Sequence, residues 1–144
     1  MMAVLAIVAA ASLSGCAKTM VSASAKTEPF KLELINEAEG LNRITLEPEA
    51  AKKIGIETQK LGVLFRFGGE SQRTTVPYGA VLYDAKGSTF VYTNPKPLVF
   101  VRHPITVDYV EDDLAVLVSG PPSGTSVVHV GVAELQGIEF GVGK

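Results

Sequence analysis

Residues 75–92, TVPYGAVLYDAKGSTFVY, decide the fold. Thr75, Val76 and Pro77 lead into an apolar run, Ala80-Val81-Leu82-Tyr83. Asp84-Ala85-Lys86-Gly87 then supplies turn chemistry, since Asp bonds its own backbone and Gly tolerates positive φ. Residues 88–92 return as a strand rich in aromatic and β-branched side chains. The stretch reads as strand, tight turn, strand, and the chain beyond it repeats that style.

Working outward toward the C-terminus, Asn94-Pro95-Lys96-Pro97 reads as a firm break. Residues 98–102 (LVFVR) form a strand, and His103-Pro104 predicts a bend or an edge position. Ile105, Val107 and Tyr109 then share one face of an alternating strand. Glu111-Asp112-Asp113 predicts a turn, followed by a strand over 114–119. Gly120-Pro121-Pro122-Ser123-Gly124 is a strongly marked turn, followed by a strand over 126–130. Residues 131–135 predict a single helical turn, and 136–144 a polar, Gly-rich tail.

Toward the N-terminus, residues 63–67 (VLFRF) form an apolar strand stopped by Gly68-Gly69, and 70–74 read as a polar loop. Pro48 suits the first position of a helix, Glu49 and Lys52-Lys53 complement its dipole, and Gly55 suits its C-terminal cap. A short helix over 48–54 follows, between strands at 43–47 and 56–60. Residues 30–35 (FKLELI) alternate as a half-buried strand. The total is about eight to ten short strands at roughly 8–12-residue spacing, the pattern of an all-β barrel or sandwich. Tyr78, Tyr83, Tyr92 and Tyr109 are expected to finish the barrel core with hydroxyls at its rim.

The first residues have a different character. An apolar run over 3–13 has the length of a signal-peptide core and is too short to cross a bilayer. It ends in Leu13-Ser14-Gly15-Cys16, a lipobox pattern in which Cys16 becomes the lipidated first residue of the processed chain. No Lys or Arg precedes the run; a start codon placed late would account for that. The expected organisation is a leader over 1–15, a small, polar tether over 16–29 and one domain over 30–144. Ala17 after the Cys, in a two-membrane host, favours the outer membrane. Lipid on Cys16 implies a membrane anchor facing the periplasm or another extracytoplasmic space.

Chemistry is sparse. The single Cys excludes an intramolecular disulfide. Thirteen basic against fifteen acidic residues leave no basic patch for nucleic acid. His103 and His129 lack the Cys or carboxylate spacing of a metal site, and only Met20 among the methionines lies beyond the leader. Asp108, Glu111, Asp112 and Asp113 cluster as exposed turn carboxylates. No phosphate-binding loop or nucleophile elbow is present. The expectation is a non-enzyme without cofactor or metal.

Four blocks, in order, resemble one family. Residues 44–62 (ITLEPEAAKKIGIETQKLG) are similar to the segment that opens the β-barrel of heavy-metal-type periplasmic adaptor subunits, the membrane fusion proteins of RND-type efflux pumps. Residues 75–92 resemble the "VP-x-x-AV … G … VYV" opening of their membrane-proximal part, and His103-Pro104-Ile105-Thr106-Val107 stands at their basic residue and Pro-Val-x-Val strand. Residues 117–131 (LVSGPPSGTSVVHVG) resemble their "sGL-x-x-Gd-x-VV-x-x-G" segment, with Ala133, Leu135 and Glu139 at the closing "a-x-L … E". Pro121 replaces a Leu and Thr125 an Asp. Only residues 63–74 stand where full adaptors carry a lipoyl-like domain and an α-helical hairpin, so the chain resembles a reduced adaptor.

The resemblance implies a small β-barrel domain, lipid-anchored through Cys16, that docks on an RND- or ABC-type transporter or a full-length adaptor. Tyr78, Arg102, His103, Gly120 and Gly124, at turns and edges, are the candidate contacts. The alternative is a free-standing ligand-binding lipoprotein with a pocket in the barrel mouth, which a polar-lined interior would favour and a filled apolar one oppose.

Overall fold

The structure, a computed structural model, describes residues 28–65 and 72–141. The leader, Cys16, residues 17–27 of the tether, Gly68-Gly69 and residues 142–144 lie outside the described residues. The described residues form ten strands: β1 (Phe30–Asn36), β2 (Leu41–Leu46), β3 (Glu57–Lys60), β4 (Gly62–Phe65), β5 (Gln72–Pro77), β6 (Leu82–Tyr83), β7 (Thr89–Lys96), β8 (Val99–Glu111), β9 (Leu114–Ser119) and β10 (Ser126–Val130). Helix α1 (Pro48–Ile54) follows β2, and helix α2 (Val132–Phe140) closes the described chain.

Seven strands, in the order β3-β10-β7-β8-β9-β5-β4, form a nearly closed, barrel-shaped antiparallel sheet, as the all-β reading expects. Its two end strands are consecutive in the chain. Leu61 joins them, donating its N–H to Thr125 O and accepting from Gly124 N–H. Strand β2 pairs with the first residues of β8, and β1 pairs with β2.

The central hairpin forms as its turn residues predict. Leu82 faces Phe90 and Tyr83 faces Thr89. Asp84 accepts hydrogen bonds from the Lys86 and Ser88 N–H groups, both at 2.8 Å, and Gly87 takes φ +82°. Those bonds, first of all the one from Ser88, hold the Asp84 carboxyl below its usual pKa. Helix α1 also matches expectation, with Pro48 at its start and Gly55 in the left-handed conformation at its end.

Two cores lie on opposite faces of the same strands. Val91 and Val127 belong to one, with Val76, Ile105, Ala115 and Leu117. Their chain neighbours Tyr92 and Val128 belong to the other, with Ile44, Leu46, Phe100, Val132 and Leu135. A strand buried on both faces reads as a continuous apolar run, which is why "FVY" and "VVHV" do not alternate.

Several sequence expectations need correction. Residues 132–140 form a helix of more than two turns, not a single turn and a tail. Gly131 and Gly141 bracket it in the left-handed conformation, and Val132, Leu135 and Glu139 form its buried face. Residues 72–74 belong to strand β5 rather than a loop, paired with β4. Strand β7 runs through Asn94 and Pro95, with a register shift there, and the turn comes at Leu98, at φ +62°. Strand β1 forms, but its residues are exposed from Lys31 to Ile35, Leu32 and Leu34 included. Tyr78 and Tyr83 lie exposed instead of finishing the core.

Pro104 occupies the edge position its sequence context predicts. Strand β8 leaves β2 after Val101 and meets β9 at Thr106. Between them only β7 pairs with it, so the missing N–H of Pro104 breaks no second ladder.

Candidate functional site

The gap along β8 also holds Arg102, which faces Tyr92 across the β7–β8 pair. Cross-strand partners project to the same face, and here both side chains meet α2 at Glu139. The Tyr92 hydroxyl donates to Glu139 Oε2 at 2.5 Å. Arg102 Nε lies 3.4 Å from Oε1, close enough for charge attraction but without hydrogen-bond geometry. The Glu139 side chain is sealed from solvent and that of Arg102 is 14% exposed. Burial, followed by the Glu139 hydrogen bond, pushes the Tyr92 phenol well above its usual pKa.

Arg102 ties together three parts of the chain. Its Nη2 donates to Gly40 O, in the β1–β2 turn, at 3.0 Å. Its guanidinium carbon lies 5.0 Å from the Phe90 ring centroid and 5.2 Å from that of Phe140. A largely desolvated cation is attracted to the face of each ring it overlies. The constellation is a latch for α2. The arrangement holds the helix against β7 and β8.

Outside the latch, a cleft of about 500 Å³ runs between α2 and the β6–β7 turn. Tyr83 and Lys86 line one wall and Gln136 and Phe140 the other, with Arg102 also in the lining. Tyr83 is 52% and Phe140 51% exposed. A hydrogen bond with Tyr78 raises the Tyr83 phenol above its ordinary pKa. The turn bearing Lys86 is held by hydrogen bonds to Asp84, and the helix by Glu139.

The sequence-predicted residues do not gather into one patch. Tyr78 lies at the Leu114 end of β9, its N–H donating to Asp113 O, while Gly120 follows the Ser119 end. Gly124, at φ +83°, bonds Leu61. His103 is half-buried on β8 opposite Val91. Arg102 turns to Glu139 and shows only a small part of its side chain in the cleft. Cys16 lies outside the described residues. His129 Nε2 lies 3.8 Å from Glu57 Oε2 across the β10–β3 edge, and among the described residues no three His, Cys, Asp or Glu side chains are grouped to hold a metal.

Sequence reasoning missed Tyr83, Lys86, Glu139 and Phe140 as parts of a site. Glu139 and Phe140 fall in the segment read as a tail. The usable signal was the spacing of Val132, Leu135 and Glu139 on one helical face, with an acid at the last position asking for buried partners.

Among the described residues no helix is long and apolar enough to cross a membrane. No family model, curated protein or solved structure matches the chain.

Proposed function

We propose that this chain is a non-enzymatic docking module, a reduced adaptor held at an extracytoplasmic membrane face by lipid on Cys16. Its partner on this reading is an RND- or ABC-type transporter, or a full-length adaptor bound to one. The observation that carries the docking reading is the cleft, with exposed Tyr83 and Phe140 beside Arg102. Aromatic residues and Arg are the side chains that dominate protein–protein hot spots. The barrel interior supports the same reading. Val76, Val91, Ala115 and Val127 fill it at 0% exposure, and none of them lines the cleft. A filled interior opposes a ligand in the barrel mouth. The resemblance of residues 44–140 to adaptor segments supplies the class of partner.

Anchoring would raise the local concentration of the domain at the membrane, so a modest interface would be occupied. The test is a crosslinked pull-down of the full-length chain from native membranes, read by mass spectrometry. Enrichment of a transporter with the wild-type chain is expected, with loss in Cys16→Ser and in Tyr83→Ala/Phe140→Ala. Recovery of the lipidated chain alone would sink the proposal. Capture that ignores the cleft substitutions would remove the cleft from it.

A further inference from the structure

We infer that the exposed edge of β1 is a self-pairing surface, which joins two copies of this chain into a dimer through an antiparallel β1–β1 ladder. The inference stands apart from the docking cleft and needs no transporter.

The argument starts with the direction of backbone groups. Leu46 N–H donates to Leu98 O, on the β8 side of β2. In an antiparallel ladder the hydrogen-bonding side alternates residue by residue. Leu46, Ile44 and Asn42 therefore bond toward β8, and Thr45 and Arg43 toward β1. Their partners on β1 are Lys31 and Glu33. The N–H and C=O groups of Phe30, Leu32 and Leu34 consequently point away from β2. Among the described residues no strand pairs with that edge.

The side chains alternate to match. Phe30 and Leu32 stand across from Leu46 and Ile44, on the face of the core that contains Tyr92 and Val128, with Leu34 next along the row. Leu32 and Leu34 are 39% and 56% exposed. Lys31 and Glu33 occupy the other face, where Glu33 already pairs with Arg43 at 3.1 Å.

One register pairs apolar side chains with apolar ones and Lys31 with Glu33. With Leu32 opposite Leu32 of the other copy on a two-fold axis, Phe30 falls opposite Leu34 in both directions. All the outward backbone groups of Phe30, Leu32 and Leu34 then find partners. Lys31 falls opposite Glu33, again in both directions, at the close non-hydrogen-bonded positions. A slip of one residue turns apolar faces against charged ones. An axis at Lys31 or Glu33 keeps the backbone groups paired but sets like charges opposite each other. The pairing uses each edge once, so it closes at two copies and does not propagate.

The test uses the purified full-length chain in detergent, by sedimentation and by amide exchange. The Leu32 and Leu34 amides should gain protection as concentration rises, while those of Lys31 and Glu33 stay protected throughout. Lys31→Glu alone, and Glu33→Lys alone, should weaken dimerisation roughly tenfold or more, since attractive cross-strand pairs become repulsive. Mixing the two variants should restore it, because each then supplies the charge the other lacks. A chain that stays monomeric, or variants that do not recover on mixing, would overturn the inference. So would Leu32 and Leu34 amides protected equally at every concentration, because that edge would then be covered from within the same chain.

Discussion

Tyr92 and Glu139 are 47 residues apart in sequence and meet at 2.5 Å, the phenol donating to a carboxylate that no water reaches. Arg102 supplies the positive charge. A buried carboxylate is tolerated only with such partners, and removing one leaves the others uncompensated. Glu139→Ala should therefore destabilise the domain by about 3–5 kcal/mol. Glu139→Gln keeps an acceptor for Tyr92 and should cost less. Urea denaturation of both variants checks the order, and equal stability of wild type and Glu139→Ala would refute the latch.

The same contact sets an alkaline limit. The folded state holds the Tyr92 phenol un-ionised by burial and by its bond to Glu139, raising its pKa. Stability from this source is complete below the ordinary phenol pKa of about 10 and is lost as pH rises beyond it, where the unfolded chain ionises and the folded one does not. Melting temperature should fall above about pH 10, with a slope of up to about 1.4 kcal/mol per pH unit from this one group. Tyr92→Phe should be less stable at neutral pH and should lose that part of the alkaline slope.

Two glycines with similar backbone angles should differ in their tolerance of Ala. Gly131 and Gly87 sit at φ +83° and +82°. A Cβ on Gly131 would lie 2.6 Å from Ile56 Cδ1 and 3.0 Å from Ile54 Cγ2, whereas one on Gly87 meets nothing within 4 Å. Gly87→Ala should cost about 1–2 kcal/mol from backbone strain alone. Gly131→Ala adds the clash and should cost roughly 2–5 kcal/mol in total. Thermal unfolding of the pair reads the difference, and equal costs would mean that Ile54 and Ile56 give way freely.

Leucines on the two sides of the sheet should separate as sharply. Leu117 is 3% exposed in the barrel core and Leu34 is 56% exposed on β1. Leu117→Ala should cost about 2–5 kcal/mol. Leu34→Ala should leave the unfolding of a single copy within about 0.5 kcal/mol of wild type.

Much of the fold was legible because its signals are local. The Asp84 turn, the Pro48 helix start and its Gly55 stop depend on residues within a few positions of each other, and each forms as read. Pro104 was legible for a related reason, since a residue without an N–H has few places to go in a sheet. The misreadings share one cause. Helix α2 contains Gly137 and buries an acid, so its own sequence argues against a buried helix until Tyr92 and Arg102 are brought alongside. The polar 72–74 segment is a strand because β4 pairs with it, and Leu32 and Leu34 are exposed because nothing described covers them. Arg102 looked like a surface contact because the ring of Phe140 and the carbonyl of Gly40 come to it from distant chain. The cleft was illegible for the same reason, since its two walls are far apart in sequence.

Because Val91 and Tyr92 are adjacent in the chain yet feed different cores, neither core can be lost alone. Val127 and Val128 repeat the arrangement on β10. Pulling either strand out of register would empty both sides of the sheet at once. The domain has no weaker half to shed, and its unfolding should be a single all-or-none event, seen as coincident transitions by far-UV circular dichroism and tyrosine fluorescence.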